Sequence, residues 1–280
     1  MTTPSPADQT IEIVRPQFPR GPFRAAIFDF DGTLSLIRRN WQDVMIPMMV
    51  ETLAETESGE SREELSDLVE DFVMRLNGRQ TIFQMIQLAE EVRRRGGEPL
   101  DPLQYKHKYH DLLWLEVGQR VAAVRAGHIA ADQLHVPQAG QFLAALQTGS
   151  CELYLASGTD LKFVRDELRV LGLGKYFGDH VYGALDDYEK FSKAKIIQQI
   201  IRDHGIDGRE LVGFGDGFVE IEEVKRVGGL AVGVASNEEQ LSGVNPWKRN
   251  RLIEAGADLI IGDYRCHDQL LGMLKCGPPG

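Results

Sequence analysis

The segment Arg24-Ala25-Ala26-Ile27-Phe28-Asp29-Phe30-Asp31-Gly32-Thr33 is where the sequence declares its fold. Four apolar residues run without alternation into two acids and a glycine, which predicts a strand buried on both faces, as in a parallel sheet. Gly32 permits a sharp turn at once. Asp29 and Asp31 are two residues apart, so both carboxylates leave the same side of the strand, close enough to shift each other's pKa. A helix cap or a solvated turn would use the same residue types. A calcium loop would not, because the glycine is misplaced and no Glu closes the loop.

Downstream, from about 36 to 136, the texture turns helical. Leu65, Leu68, Val69, Phe72, Val73 and Leu76 recur at helical spacing, with Ser61 and Glu64 as a capping box in front and Gly78 behind. Ile82, Met85, Ile86 and Ala89 begin another helix, stopped by Gly96-Gly97, and Tyr105, Tyr109, Leu112, Leu113 and Val117 predict a third. Trp41 to Leu53 predicts one more, kinked or limited by Pro47, with Met45, Met48 and Met49 as its core.

Beyond Val136 strand and helix patterns alternate. Strands are expected at Glu152–Ala156, His180–Tyr182, Leu211–Phe214, Leu230–Val234 and Asp258–Ile261. Helices are expected at Gln138–Gln147, Leu161–Leu171, Lys193–Asp203 and Val219–Val227. Such alternation implies an α/β, doubly wound parallel sheet covered on both faces, with the helical stretch inserted after its first strand. Sheets of this kind bind ligands at the carboxyl ends of their strands, where Asp29, Asp31, Ser157 and Asp216 all fall.

The chain has 280 residues, 42% hydrophobic and 26% charged, which excludes global disorder. It holds no uncharged apolar run of about 18 residues, so no membrane-spanning helix is expected. A net charge of −11 and a pI near 5.2 argue against nucleic acid or an anionic membrane as partner. A small anionic substrate remains compatible, since a metal and a few cations can reverse the field inside a cleft. The segment 1–22 is polar and proline-rich, lacks the apolar stretch of a secretory signal and is expected to be a flexible arm. Cys151, Cys266 and Cys276 are scattered without metal-ligand spacing, which fits reduced thiols and a cytoplasmic location.

Three further segments carry candidate chemistry. Ser157-Gly158-Thr159-Asp160 follows a strand and precedes a helix, where a hydroxyl and backbone amides suit a phosphate, although Thr159 or Asp160 would equally serve as a helix cap. Ser192-Lys193-Ala194-Lys195 opens a helix; a lysine in a first turn opposes the helix dipole, so an anion nearby would justify it. Lys193 is preferred to Lys190, and Lys195 comes last. Gly213-Phe214-Gly215-Asp216-Gly217-Phe218-Val219-Glu220 joins a strand to a helix. Phe218 stands where a dinucleotide loop needs its third glycine, whereas Asp216 and Glu220 can offer carboxylate oxygens to a hard cation.

Taken in order, Asp-x-Asp-Gly-Thr, a strand-ending Ser, a Lys and Gly-Asp-x-x-x-acid resemble the haloacid dehalogenase superfamily of phosphotransferases, over about Phe23 to Leu274. The resemblance implies a Rossmann-like core at 23–35 and 136–276, with a helical cap at 36–135 of the kind found on phosphoglycolate phosphatase-like and β-phosphoglucomutase-like enzymes. It implies Asp29 as nucleophile, Asp31 as general acid/base, Ser157 as phosphoryl ligand and Lys193 as charge partner. It also implies magnesium held by Asp29, the carbonyl of Asp31 and Asp216, with Glu220 in support. Thr33, Gly158 and Arg79 are expected to bind substrate. Leu36-Ile37 stands where those relatives carry Asp-Ser, and Ala194 where a proline often follows the lysine.

The activity so implied is magnesium-dependent hydrolysis of a small phosphorylated metabolite, such as a sugar phosphate or a phosphoglycolate-like ester. A sugar phosphomutase and a catalytically silent phospho-ligand-binding module are the alternatives. A dehalogenase is disfavoured, because Asp31 would have no leaving group to protonate. Arg38, Arg39, Gln80 and Lys106 could also reach a substrate. His107 and His110 lack a third ligand for zinc, and the adjacent Cys266-His267 cannot easily form a nucleophile–base pair. Oligomeric state is not readable from the sequence.

Overall fold

A computed structural model of the chain describes residues 11–185 and 192–275. The apolar run ahead of the two acids forms β2 (Ala25–Phe28), every residue of it buried. It lies within a seven-stranded sheet with β1 (Glu12–Ile13), β3 (Glu152–Asp160), β4 (Val181–Ala184), β5 (Leu211–Gly215), β6 (Leu230–Val234) and β7 (Leu259–Ile261). The order is β1-β7-β6-β5-β2-β3-β4. All pairings are parallel except β1 with β7. The chain therefore winds outward from β2 in both directions, and that reversal of strand order is where such a sheet opens a crevice.

The absence of alternation in the strands has its cause in the packing. One face of β2 sends Phe28 onto Phe214, the rings stacked at 4.6 Å, with Phe142 and Phe177 edge-on. The other sends Ala25 and Ile27 into a second buried cluster with Tyr154, Ile197 and Val224. Helices α5 (Ala139–Thr148), α6 (Leu161–Val170), α7 (Lys193–His204), α8 (Phe218–Arg226), α9 (Pro246–Ala255) and α10 (His267–Leu274) complete the core.

Between β2 and α5 the chain forms α1 (Gln42–Ala54), α2 (Arg62–Leu76), α3 (Thr81–Arg94) and α4 (Pro102–Arg125). The capping box at Ser61 and Glu64 is present. Pro47 sits inside α1, and the helix runs on past it. The two connections to the sheet lie side by side: Leu36 N–H donates to Leu134 O at 2.8 Å and Val136 N–H to Leu34 O at 3.0 Å. No helix among the described residues is long and apolar enough to cross a membrane.

Two expectations need correction. The segment 1–22 is not wholly a loose arm: residues from 11 onward are placed, and Glu12–Ile13 pair with Leu259–Ile260 on the sheet edge. Composition hid this, because the anchors are single residues. Phe18 is buried, and the Glu12 carboxylate takes the Arg249 guanidinium. Secondly, α9 and α10 went unanticipated. The polar α9 has a weak apolar pattern, although Asn245 caps it from its side chain and Pro246 opens it. Cys151 and Cys266 are buried free thiols; Cys276 and Lys190 lie outside the described residues.

Candidate active site

The strand ends bring the sequence candidates together around one cavity between the sheet and the inserted helices. Asp29, Asp31, Ser157, Gly158, Lys193 and Asp216 all line it, and Arg38, Arg39, Arg79 and Tyr109 face it from the other side. The turn at Gly32 makes this possible. Its φ is +70°, and a Cβ there would fall 2.3 Å from Asp216 Oδ2, so only glycine lets the two motifs touch.

Asp29 is 7% exposed, and the Lys193 ammonium lies 3.0 Å from its Oδ1. Burial pushes the Asp29 pKa up, while Lys193 opposes the rise. Lys193 also pairs with Glu220, from the first turn of α8. Asp31 accepts a hydrogen bond from Thr159 Oγ1 at 2.8 Å on one oxygen, with Arg38 Nε 3.9 Å from the other. Burial raises its pKa to about 7, against the pull of Arg38. A carboxyl poised there can donate a proton and take one back near neutrality. Ser157 is buried, and its Oγ accepts from Thr159 N–H at 3.0 Å.

A second lysine completes the floor. Lys248, in the first turn of α9, donates to Asp216 Oδ2 at 2.7 Å, Glu238 Oε1 at 2.6 Å and Ser236 Oγ at 3.2 Å. Ser236 in turn donates to Gly32 O at 2.6 Å. Two carboxylates on one buried ammonium raise its pKa above the usual lysine value despite burial.

With this geometry in place, the comparisons with known proteins are decisive for the family. A family model described as haloacid dehalogenase-like hydrolase matches residues 23–228. The chain belongs to the haloacid dehalogenase-like hydrolases. Among solved structures, a predicted phosphoglycolate phosphatase from Haemophilus somnus 129PT is similar at TM-score 0.58 and 15% identity, over 90% of this chain and 99% of that one. A putative β-phosphoglucomutase from Thermotoga maritima is similar at TM-score 0.54 and 20% identity, over 90% and 100%. A family hydrolase from Deinococcus radiodurans R1 with bound phosphate and sodium is similar at TM-score 0.52 and 17% identity, over 92% and 99%. No curated protein matches the chain. These likenesses establish the fold: a Rossmann-like core carrying a helical cap.

The hydrolase's oxygens suit magnesium. Among the described residues no three acidic, His or Cys side chains form a metal cage. Magnesium does not need one: it typically uses one or two carboxylates and fills its octahedron with water and phosphate. Asp29 and Asp216 share the cavity wall, and Asp216 is near enough for its charge to raise the Asp29 pKa. Both Glu220 oxygens are buried without a hydrogen bond; one meets Lys193 as an ion pair. Glu220, expected beside the metal, thus stands on Lys193 here.

Several substrate-binding expectations change. Thr33 does not line the cavity: the turn folds its N–H back onto Phe30 O, and the side chain is fully buried. Arg38 is committed to Glu167 of α6, its Nε 3.0 Å and its terminal nitrogen 2.5 Å from the carboxylate. Lys106 is buried on Asp160, 2.5 Å away. Thr159 and Asp160 therefore do not cap α6: Thr159 holds Asp31 and Asp160 holds Lys106. Gly158 and Arg79 do lie on the cavity wall.

Sequence reasoning missed Lys248, Glu238 and Glu167. For Lys248 a signal existed, since a lysine in a first helical turn was the very feature that singled out Lys193.

Proposed function

We propose that this hydrolase is a magnesium-dependent phosphatase acting on a small phosphate monoester through an aspartyl phosphate on Asp29. The observation that carries the reading is the pairing of unlike environments two residues apart. Asp29 stands on the Lys193 ammonium, while Asp31 is held by Thr159 with its pKa near neutrality. An ammonium against one carboxyl and a hydroxyl against its neighbour give the two different partners, which suits a nucleophile standing beside an acid.

An Asp29 oxygen attacks phosphorus, and the bond from phosphorus to the ester oxygen breaks. The proton of Asp31 passes to the leaving alkoxide. Asp31, now a carboxylate, takes a proton from water as that water's oxygen attacks phosphorus. The Asp29–phosphorus bond then breaks, releasing phosphate and restoring both carboxyls. Lys193 offsets the repulsion of two anions meeting, and Ser157 offers its hydroxyl to a phosphoryl oxygen. Asp29, Asp216 and the Asp31 carbonyl would hold magnesium, which when bound adds positive charge at the phosphoryl oxygens.

The small cavity and its cap-side arginines favour a compact, polar metabolite over a macromolecule. Phosphate release from a panel of phosphorylated metabolites, with 4-nitrophenyl phosphate as a generic probe, tests the reading. Release from several esters supports it. An isomeric sugar phosphate without net phosphate release would make the protein a mutase, and no turnover of any ester with magnesium present would leave a binding module.

A further inference from the structure

Arg251 lies on α9 of the core, yet its hydrogen bonds go to the cap. Its guanidinium donates to the carbonyls of Met74, Arg75 (2.7 Å) and Asn77 (3.1 Å), at the C-terminal end of α2. Carbonyls at a helix end have few or no intrahelical donors. Met74 O takes only the Asn77 N–H at 3.3 Å from the cap itself, and here a core side chain adds donors. The guanidinium is itself held, with Phe218 and Trp247 ring centroids 4.8 and 5.2 Å from its carbon.

The cap segment next to these carbonyls gives the contact its significance. The loop 77–79 lines the cavity and is pressed between two glycines of the core. A Cβ on Gly217 would come 2.8 Å from Gly78 Cα, and one on Gly158 would come 3.0 Å from Arg79 O. Gly217 adjoins Asp216 and Gly158 adjoins Ser157. The cap backbone thus sits directly on the core segments that carry Ser157 and Asp216, and the Arg251 fork closes over the end from which it emerges.

We propose that Arg251 is a positioning residue that locks the Asn77–Arg79 loop of the cap over the catalytic aspartates. It sets how tightly a substrate is enclosed without touching it. The consequence for substrate rests on the phosphatase reading; the lock does not. Arg251 favours the cap placement seen here, in which the three carbonyls meet the fork, because a group contacting one state shifts the equilibrium toward it.

Arg251→Met keeps the stem between Phe218 and Trp247 and removes every donor. Hydrogen exchange on the full chain should quicken about tenfold or more for the amides of 77–82, while those of β5 stay unchanged. With 4-nitrophenyl phosphate, KM should rise about tenfold with kcat within about threefold. Arg251→Lys, whose single ammonium cannot fork to three carbonyls, should fall between the two and carries the test if the Met variant does not fold. Unchanged exchange at 77–82, or equal acceleration in β5, overturns the lock. Failure of the wild type to turn over any ester sinks the phosphatase reading and leaves the exchange result standing.

Discussion

Lys106 offers the sharpest test of the geometry, because sequence and structure give it different duties. The sequence lets it reach substrate; the structure buries it at 2% exposure on Asp160, itself 6% exposed, with Nζ 2.5 Å from Oδ1. His110, one turn further along α4, places Nε2 3.9 Å from the other Asp160 oxygen. Lys106→Met keeps the volume and strands the carboxylate. Removing one partner of a buried pair typically costs about 3–5 kcal/mol. The deficit should also depend on pH. Burial first, then the charges of Arg38 and Lys106, hold the His110 pKa down to about 3. In the wild type the unfolded chain alone therefore takes up this proton as pH falls through about 6.5, so acid costs stability. In the variant the imidazole loses a repelling cation and faces an unpaired carboxylate, so its folded pKa climbs and that acid penalty shrinks. Each unit of rise returns at most about 1.4 kcal/mol. Urea unfolding should show the full deficit at about pH 8 and a smaller one near pH 5.5. Lys106→Met with Asp160→Leu, which removes both charges, should recover most of the loss. A single-variant deficit below about 1 kcal/mol at pH 8 would refute the buried pair, and a deficit equal at both pH values would refute the part played by His110.

Other outcomes are expected at the same site. Asp29→Asn should form no phosphoenzyme, whereas Asp31→Asn should be slowed about 10²–10⁴-fold with natural esters; with 4-nitrophenyl phosphate it should accumulate acylphosphate on Asp29, seen by rapid quench and mass spectrometry. In the proposed mechanism Asp31 must be protonated to serve the leaving alkoxide, so kcat/KM for an unactivated ester should fall as pH rises past about 7. Thr159→Val removes a hydrogen bond that favours the charged form, so this limb should move to higher pH, and an unmoved limb would take Asp31 out of the role. Chelation should abolish turnover and magnesium restore it, with calcium a poor substitute because it tolerates looser geometry; full activity in chelator would exclude the metal.

What the sequence disclosed divides along a physical line. Strand positions were legible because burial on both faces leaves unbroken apolar runs, as in Ala25–Phe28 and Leu230–Val234, whatever the tertiary detail. Helix α2 announced itself through its capping box. Asp29, Asp31, Lys193 and Asp216 were nameable because each follows a strand or opens a helix, where order in sequence implies a place at one sheet edge. Ser157 was nameable from the end of the apolar run at Ala156, although β3 itself continues to Asp160 past a register irregularity. Cap residues obey no such rule. Whether Lys106 meets substrate or Asp160 depends on how α4 lies on the β3–α6 junction, contacts 54 residues apart in sequence. Arg38 and Glu167 are 129 apart, and neither local sequence hints at the other.

The placement of the two lysines shows how the core manages a concentration of acid. Asp29, Asp216, Glu220 and Glu238 crowd the strand ends, where like charges repel. Lys193 serves Asp29 and Glu220; Lys248 serves Asp216 and Glu238. Each lysine occupies the first turn of a helix, where the dipole is unfavourable to a cation, and each recovers that cost through two carboxylates at once. Four negative charges thus meet two positive ones, leaving a deficit of two. A divalent ion at the proposed site would offset the charge these four carboxylates keep beyond the two lysines. Replacing either lysine with methionine would deepen the deficit by one and strand a different pair: Asp29 with Glu220, or Asp216 with Glu238. The first loss falls on the proposed nucleophile and the second on the proposed metal ligand. Lys193→Met should therefore depress kcat at saturating magnesium, whereas Lys248→Met should chiefly change the magnesium concentration required for half-maximal rate. Identical kinetic signatures for the two variants would break this division of labour.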